Sequence, residues 1–552
     1  MNPSIQYAKC GTINIAYQTF GSGPIDIVYI PGWVSNIDWM WACPELVHFF
    51  NELGKIARVI LFDKRGTGLS DRILDHATLE ERMEDIKVVM DAAGSKKAIL
   101  FGHSEGGSVS ALFSATYPNR VLALMAFGIF AKRRYSEDYP WAPTDEERQK
   151  VYEMIENSWG SGQMNLETLA PSKAKDEVFM SWLANYFRSG ASPSAALRLT
   201  KMNTEVNITD ILPSIKVPTL LMQRTHDIDV KIEEGRFIAK HIEGAKWVEF
   251  DGDDHLFWAG NTDEVLLEIK HFITSLPQEI VHKKGLITML FGHIEKVSKK
   301  GFKTDWICAI IMAYGGELVQ TNKMYFVATF NSSKNATRCS MSLLEKSKSY
   351  DICTTMGIYT REGNLIDRCR MQMEDDYMIK AIRLQAHTNQ ILVSQTIKNL
   401  LSGGSIKFIK TAAVLNFQST TLCELFVIDN ETITESNNEF EKIGCPKNET
   451  FLEKLLQVIE HNLDDTDFGI ETLCQSFLVS ERQLQRKVKE VTGKSPNSLI
   501  TSMRLNKAKS ALLSYQDTVA EIAFQFGFSS PSYFSKCFKK EFGVTPTEIV
   551  AS

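Results

Sequence analysis

The first half of this chain alternates short apolar runs with stretches of helical periodicity, and this alternation constrains the fold more than any other feature. Apolar runs with helical segments between them predict a mostly parallel sheet that is covered by helices on both faces. Residues 132–205 interrupt the alternation with polar, Trp- and Tyr-bearing helical patterns, which favours a cap inserted into the sheet domain. The apolar runs are Ile25 to Ile30, Val59 to Phe62, Ala98 to Phe101, Val121 to Phe127, Thr219 to Met222 and Lys246 to Phe250.

The pattern changes twice further along the 552-residue chain, which is too long for a single hydrophobic core. The next region mixes strand and helix patterns, and the last region is helical throughout. Polar connectors near 277–284 and 430–448 separate the three regions. We therefore predict a multidomain protein with an α/β domain at 1–277, an α+β domain at 285–430 and an all-α domain at 448–552.

Composition narrows the class of protein. Hydrophobic residues make up 44% of the chain and charged residues 23%, which is typical of a globular protein. The net charge is −6, so any DNA-binding surface must be local. The ten cysteines form no C-x-x-C pair, and we predict neither a metal site nor a cofactor. No signal peptide and no apolar run of roughly 20 residues is present, so the sequence predicts a cytoplasmic protein without a membrane span.

Two helix-turn-helix patterns occupy the C-terminal region. The first, about residues 470–491, places apolar residues on one face of each of two helices. Ser480 to Gln483 is a capping-box sequence, which predicts that the second helix begins there. Candidate DNA-binding residues on this helix are Arg482, Gln483, Gln485, Arg486 and Lys489.

The second pattern repeats this arrangement with its own turn residues. Gly527 suits a left-handed position between two helices, Ser530 is a suitable N-cap, and Pro531 occupies the first helical position. Three phenylalanines recur at helical spacing on the face predicted to be buried. The candidate DNA-binding residues here are Ser530, Ser532, Tyr533, Ser535, Lys536 and Lys539.

The same region is locally basic. Residues 480–552 contain eleven Lys or Arg and six acidic residues, an excess of five positive charges in an acidic protein. The segment from Ala520 to Pro546 closely resembles the signature of AraC-type transcription regulators, and Arg504, Leu505 and Ala508 fit the helix that joins the two units. This resemblance implies two recognition helices that read successive major-groove segments of double-stranded DNA. We also predict a homodimer.

A nucleophile-elbow sequence lies in the first domain. The peptide Gly102-His103-Ser104-Glu105-Gly106 fits G-x-S-x-G and stands between a strand pattern and a helical pattern. A nucleophilic serine needs a base and an acid that orients the base. His255 and Asp227 each follow a strand pattern, at 246–250 and 219–222. We therefore predict Ser104, Asp227 and His255 as catalytic residues.

Two further assignments complete this candidate site. Asp229 is an alternative to Asp227 as the orienting acid. The oxyanion hole would use the backbone N–H of Glu105, which follows the nucleophile, and that of Trp33, which follows the first predicted strand.

Residues 5–276 resemble the α/β-hydrolase family. The chain order Ser, Asp, His is the one expected for that fold, and the loop from Asp63 to Asp71 matches a loop common there. One departure is Pro31-Gly32, where many members have His-Gly. The resemblance implies a pocket for a small ester, lactone or amide, and leaves open whether this ligand is hydrolysed or only bound.

Residues 285–430 resemble the catalytic domain of class III nucleotide cyclases. The positions of the two metal-binding Asp of that family fall on His293 and Met324, and that of its base-selecting Lys falls on Gln320. Methionine cannot replace a hard oxygen ligand of magnesium. We therefore predict that this domain is not an active cyclase and serves dimerisation or coupling.

Three functions remain open from the sequence. The first is an AraC-type regulator whose hydrolase-like domain senses a small molecule. The second is an active serine hydrolase whose turnover is coupled to DNA binding. The third is a scaffold in which DNA binding is incidental.

Overall fold

The structure is a computed structural model, and the predicted connector at 430–448 and part of the one at 277–284 lie outside its described residues. The described residues are 3–72, 77–159, 164–277, 282–297, 305–322, 324–365, 367–417, 421–429, 455, 458–459, 462–477, 479–492, 495–514, 518–542 and 545–550. The chain divides into two compact units. The first comprises Met1–Ile287, Thr360–Gly363 and Ser394–Ile406, and the second comprises Thr288–Tyr359, Asn364–Val393 and Lys407–Ser552.

The first unit is organised by a sheet of eight described strands. These are β1 (Gln6–Cys10), β2 (Ile13–Phe20), β3 (Asp26–Ile30), β4 (Arg58–Phe62), β5 (Ala98–His103), β6 (Val121–Phe127), β7 (Thr219–Arg224) and β8 (Lys246–Phe250). Their order is β1-β2-β4-β3-β5-β6-β7-β8. The β1–β2 and β2–β4 pairs are antiparallel and the others are parallel. The mostly parallel sheet that the sequence predicted is confirmed.

Consecutive residues of the central strands enter two different hydrophobic cores. Tyr29 and Phe101 belong to the core on one face of the sheet, and their neighbours Val28 and Leu100 belong to the core on the other. Successive side chains of a strand point to opposite faces. Because both faces are covered, the interiors of these strands are apolar at consecutive positions and not only at alternate ones.

Eight described α-helices between residues 44 and 275 supply this cover and the cap. They are α1 (Pro44–Gly54), α2 (Leu79–Ala92), α3 (Glu105–Thr116), α4 (Asp145–Ser158), α5 (Glu177–Gly190), α6 (Pro193–Thr204), α7 (Ile232–His241) and α8 (Thr262–Ser275). Helices α2 and α4 each begin at a complete capping box, Thr78 with Glu81 and Thr144 with Glu147. Helices α4, α5 and α6 lie within the segment predicted as a cap.

A second sheet follows, with seven described strands. They are β9 (Lys284–Val297), β10 (Glu317–Thr321), β11 (Tyr325–Phe330), β12 (Ile352–Asn364), β13 (Ile391–Ser394), β14 (Phe408–Phe417) and β15 (Thr421–Ile428), in the order β10-β11-β9-β12-β13-β15-β14. The helices of this region are α9 (Asp305–Ala313), α10 (Ser333–Ser349), α11 (Met373–Gln385) and α12 (Gln395–Leu400).

The positions that the cyclase resemblance assigned to metal ligands are neighbours in this sheet. Strands β9 and β11 pair antiparallel with His293 opposite Tyr325. The backbone N–H of Ile294 donates to the carbonyl oxygen of Met324 at 2.7 Å. His293 and Met324 therefore stand side by side at the end of this strand pair, and neither has a carboxylate.

The C-terminal region is helical, as predicted. Its described helices are α13 (Ile470–Phe477), α14 (Glu481–Thr492), α15 (Pro496–Ser514), α16 (Val519–Gln525), α17 (Pro531–Phe542) and α18 (Pro546–Val550). They enclose two small cores, one around Leu473 and Leu484 and the other around Phe534 and Phe538. Helix α15 contributes to both cores and so joins the two helix-turn-helix units. No helix of the described residues is long and apolar enough to span a bilayer.

Candidate active site and candidate DNA interface

Ser104 occupies a strained turn between β5 and α3. Its backbone angles are φ 53° and ψ −124°, a conformation that a residue with a side chain adopts at a cost of roughly 1–3 kcal/mol. The turn is held because the N–H of Ser104 donates to the carbonyl of Phe127 and the carbonyl of Ser104 accepts from the N–H of Gly107, both at 2.9 Å. Ser104 therefore stands at the carboxyl end of a central parallel strand, where open α/β sheets bind ligands.

The two glycines of the G-x-S-x-G motif are required by close backbone contacts. A Cβ at position 102 would lie 2.5 Å from the Cα of Gly107. A Cβ at position 106 would lie 2.1 Å from the carbonyl oxygen of Ile30. Both distances are far below van der Waals contact, so the packing of the turn against α3 and β3 selects glycine at both positions.

His255 and Asp227 form a buried hydrogen-bonded pair. The Nδ1 of His255 lies 2.7 Å from Oδ2 of Asp227, and both residues are nearly inaccessible to solvent. The other oxygen of Asp227 accepts the backbone N–H groups of Asp229 and Val230 at 2.9 and 3.1 Å. These bonds fix the carboxylate, which in turn fixes the orientation of the imidazole ring.

The alternative acid, Asp229, has a different main partner. Its Oδ1 accepts from Nη2 of Arg133 at 2.8 Å, and its Oδ2 lies 3.6 Å from Nε2 of His255. Burial alone would raise the pKa of Asp229, but the positive charge of Arg133 holds it below its ordinary value. Asp227 therefore contacts the ring nitrogen that an orienting acid contacts in a triad, whereas Asp229 is an ion-pair partner of Arg133.

The pKa values of the two histidines of the site are shifted in opposite directions. Burial would lower the pKa of His255, but the carboxylate of Asp227 raises it above its ordinary value. Burial, together with the nearby charge of His255, lowers the pKa of His103 to about 3. The neutral His103 donates from Nε2 to the carbonyl oxygen of His255 at 3.1 Å. His103 thus holds the backbone of the neighbouring histidine and does not act as a base.

The predicted oxyanion residues lie on either side of Ser104. Trp33 follows Gly32, whose backbone is so close to Ser104 that a Cβ at position 32 would lie 3.3 Å from the Ser104 Cβ. Glu105 follows Ser104 and begins α3. Both residues line the same cavity as Ser104.

The side chain of Glu105 is part of a buried ionic cluster that sequence analysis missed. One oxygen of Glu105 pairs with Lys64 and the other with Arg82, and all three side chains are almost completely buried. Burial would raise the pKa of Glu105, but the two cations keep it below its ordinary value. Lys64 also donates to the carbonyl oxygen of Trp33 at 3.3 Å. The cluster thus ties both predicted oxyanion residues to the loop after β4.

A cavity of about 240 Å³ opens beside these groups. Its wall is mostly apolar, and Ser104 and His255 both line it. Further lining residues include Trp33, Val34, Phe130, Val151, Met154, Leu166, Phe187 and Trp258. An apolar cavity with a few convergent polar groups is the usual form of a small-molecule site.

The first candidate DNA-binding face lies on α14. Arg482, Gln483, Gln485 and Arg486 are exposed, whereas Leu484 and Val488 of the same helix are buried. Two of the exposed side chains also have intramolecular roles. The Oε1 of Gln483 accepts from the backbone N–H and the hydroxyl of Ser480, and Nε2 of Gln485 donates to Glu481. The side chain of Lys489 lies outside the described residues.

The second candidate face lies on α17. Ser530 caps this helix, because its Oγ accepts the backbone N–H of Tyr533 at 3.2 Å. The residues predicted to face outward are Ser532, Tyr533, Ser535, Lys536 and Lys539; Ser535 is half-buried and the others are exposed. Phe534 and Phe538 are fully buried behind them. Helix α17 is thus amphipathic, with its polar face toward solvent.

Arg504 does not belong to the basic surface that the sequence count assigned to this region. The residue is buried, and its guanidinium donates to the carbonyl of Leu463 at 3.0 Å and to that of Asp465. Arg504 therefore holds the segment before α13 against α15, and the surface excess of positive charge is smaller than the sequence suggested.

Gly527 lies against the same segment, and replacing it with alanine is expected to destabilise the C-terminal region. Its φ is +70°, and an added Cβ would meet the carbonyl oxygen of Leu463 at 2.4 Å. We expect a loss of roughly 2–4 kcal/mol, measured by chemical denaturation. Gly315→Ala is the matched control, because Gly315 has φ +76° but open space around its Cβ position. Equal losses for the two variants would contradict the steric explanation.

Two family models match the chain. One, described as a helix-turn-helix domain, matches residues 473–552. The other, described as an alpha/beta hydrolase fold, matches residues 27–260. The matches coincide with two of the three regions in which sequence analysis found family resemblances, and the cyclase-like region is not one of them.

Individual relatives match one region or the other. The HTH-type transcriptional activator RhaS of Mannheimia succiniciproducens is 30% identical over 112 residues, which are 20% of this chain and 41% of that protein. The bifunctional esterase/perhydrolase DCH of Acinetobacter calcoaceticus is 23% identical over 279 residues, 48% of this chain and 97% of that protein. The solved enol-lactonase of Burkholderia xenovorans has 21% identity and a TM-score of 0.43, and covers 49% of this chain and 100% of that one.

The chain spans between 7% and 41% of the length of the first curated relatives that it matches. The helical region, with its two exposed helix faces, is matched by one family model. The sheet domain, with its strained serine turn, is matched by the other. The chain therefore carries an N-terminal α/β-hydrolase domain and a C-terminal AraC-type helix-turn-helix domain.

Proposed function

We propose that this protein is an AraC-type transcription regulator that binds double-stranded DNA and responds to a small ester, lactone or amide taken up by its hydrolase domain. The observation that carries the DNA-binding part is the pair of amphipathic helices α14 and α17. Each is the second helix of a helix-turn-helix unit and exposes polar and basic side chains while its apolar face is buried. The likeness to a curated transcriptional activator supports the same function.

The two faces carry different basic side chains, and these suit different parts of the DNA. Arg482 and Arg486 present planar guanidinium groups that can form paired hydrogen bonds to guanine in the major groove. Lys536 and Lys539 present point charges that suit phosphate oxygens and position the helix without reading sequence. The capping bonds of Gln483 and Ser530 hold the first turn of each helix, which is the part that approaches base edges.

The experiment that tests this function begins with a map of genomic binding sites of the tagged full-length protein. Binding of the purified protein to a recovered site is then compared with binding to random duplex of equal length at physiological salt. We expect the recovered site to bind at least about 10³-fold more tightly. A site that binds no better than random DNA would remove the regulator proposal.

The hydrolase domain supports acyl transfer. In the proposed reaction Ser104 attacks the carbonyl of the ligand, and His255 takes the serine proton and returns it to the leaving group. Asp227 keeps the imidazole in the tautomer that accepts this proton. The N–H groups of Glu105 and Trp33 stabilise the oxyanion. The likeness to a curated esterase/perhydrolase and the buried His255–Asp227 pair support this chemistry.

The rate of acylation of Ser104 is expected to fall as the pH is lowered, with a midpoint above 6.5. His255 accepts the serine proton only when neutral, and the carboxylate of Asp227 raises its pKa above the ordinary value of 6.5. The rate of labelling by a fluorophosphonate, followed across the pH range, measures the midpoint. In Asp227→Asn the midpoint should move to lower pH, because the anion that favours the imidazolium is gone. A midpoint that rises in this variant would contradict the assignment.

We propose that the middle region pairs two copies of the chain and links ligand binding to DNA binding. Ala309 and Ala313 of α9 pack in the same hydrophobic core as Leu455 and Ile459 and the first helix-turn-helix unit. A shift of α9 would therefore displace the first helix-turn-helix unit through direct contact. A ligand acts in this way only if it binds two arrangements with different affinities. Unchanged DNA affinity at saturating ligand would show that the hydrolase domain does not regulate binding.

A further inference from the structure

Arg148 brings a buried positive charge to the wall of the hydrolase cavity. It lies on the cap helix α4 and is 6% exposed. Its Nε donates to the hydroxyl of Thr204 at 2.9 Å, and its Nη2 donates to the carbonyl of Thr200 at 3.2 Å. A guanidinium group has five N–H donors. The guanidinium also lies 5.7 Å from the centre of the Tyr152 ring, so its contacts with the described residues are with neutral groups.

The charge of Arg148 is only partly compensated, because the carboxylate of Asp229 acts on it without pairing with it directly. No carboxylate of the described part of the chain forms an ion pair with it, whereas the neighbouring Arg133 pairs with Asp229 at 2.8 Å. Burial and the positive charge of Arg133 lower the pKa of Arg148 from its ordinary value. A buried cation without a directly paired anion is costly, so the cavity wall favours an anion that offsets this cost.

Other unused donors line the same cavity. Trp258 is 3% exposed, and its indole N–H has no hydrogen-bond acceptor in the described structure. The indole N–H of Trp33 is likewise buried without an acceptor. The remaining wall is largely apolar, with Val151 and Met154 on the same helix as Arg148. Buried N–H donors without acceptors on a largely apolar wall suit a ligand with an apolar body and an acceptor group.

We infer that the ligand of this cavity is an organic acid, in which an apolar body fills the cavity and one carboxylate binds the guanidinium of Arg148. A carboxylate matches the planar fork of an arginine with two parallel hydrogen bonds. The cavity volume of about 240 Å³ limits the ligand to a small molecule. This inference rests on the proposed ligand-binding function of the domain and specifies the chemistry of the ligand. Where the site is catalytic, its substrate carries an ester or lactone group in addition to this free carboxylate.

Matched pairs of acids and neutral amides test the inference on the full-length protein. We would titrate 4-phenylbutyrate against 4-phenylbutanamide, and hexanoate against hexanamide, and follow heat release and tryptophan fluorescence. Each acid is expected to bind at least about tenfold more tightly than its amide, as a charge-assisted hydrogen bond predicts. Equal affinities within both pairs, or no binding of either acid at millimolar concentration, would overturn the inference.

Two variants assign the preference to Arg148. Arg148→Met should remove the preference for the acid while retaining binding of the amide, which also shows that the variant is folded. Arg148→Lys should keep part of the preference. Arg134→Met is the matched control, because Arg134 is half-exposed and pairs with Asp145 on the surface of the cap. An unchanged acid preference in Arg148→Met would refute the role of this residue.

The outcome for ligand preference can be distinguished from the outcome for the regulator proposal. DNA binding by the ligand-free protein depends on α14 and α17 and is expected to be the same in Arg148→Met and in the unsubstituted chain. Loss of the acid preference with intact DNA binding supports the inference. If neither protein binds DNA but the unsubstituted chain still prefers the acid, the regulator proposal is overturned and the inference on the ligand stands.

Discussion

Replacing Ser104 with alanine is expected to abolish covalent labelling of the protein by a fluorophosphonate probe. The serine occupies the strained turn at the carboxyl end of β5 and lines the cavity together with His255, whose other ring nitrogen is held by Asp227. Alanine removes the attacking oxygen but adds no atom, so the turn should persist. Labelled protein is measured by mass spectrometry, which also identifies the modified residue.

Variants of the two aspartates sharpen this test. Asp227→Asn should slow labelling by roughly 10³–10⁴-fold, because the amide favours the wrong tautomer of His255. Asp229→Asn should have a much smaller effect, since Asp229 pairs with Arg133. Ser194→Ala, at an exposed position of α6, is the control for loss of a hydroxyl group. Labelling that persists in Ser104→Ala would exclude Ser104 as the nucleophile, and a folded chain that is never labelled would retain only the binding role.

The sequence predicted the central strands of the first sheet because each contains an uninterrupted apolar run. It did not predict β1 and β2; in β2, polar residues such as Asn14, Gln18 and Thr19 interrupt the apolar ones. The middle of β2 is nevertheless buried from Ile15 to Gln18, at the antiparallel edge of the sheet. A periodicity argument detects continuous apolar runs or regular alternation, and the sequence of β2 shows neither over its length.

The residues predicted as catalytic could be selected from the sequence because each follows a strand pattern. The buried cations were not predicted, since no local sequence pattern distinguishes a buried arginine from an exposed one. Arg148 is buried because α4 packs against α6, where Thr200 and Thr204 supply its acceptors more than fifty residues away. Arg504 illustrates the converse error, because a count of basic residues treats every arginine as part of the surface. The burial of both arginines can be recognised only from the tertiary structure, because long-range packing decides which charged side chains are exposed to solvent.

Replacing Arg486 and Lys536 together with alanine is expected to remove most of the specific DNA affinity. Arg486 is exposed on α14 and Lys536 on α17, and the two helices belong to separate small cores. A guanidinium that reads a base edge contributes about 1–3 kcal/mol and only on the recognised sequence, whereas a lysine on a phosphate contributes to any sequence and to the salt dependence. Because the two side chains share no partner, their losses should add.

The two single variants distinguish these contributions. Arg486→Ala should weaken binding to the recovered site and leave binding to random duplex nearly unchanged, and Lys536→Ala should weaken both and lower the slope of affinity against salt by about one ion. Lys507→Ala removes the same charge from an exposed position on α15, outside both candidate recognition helices, and is the matched control. Affinity is measured by fluorescence anisotropy over a range of salt concentrations. If the double variant, which has lost one more positive charge, binds the recovered site as tightly as Lys507→Ala does, the faces of α14 and α17 do not contact DNA.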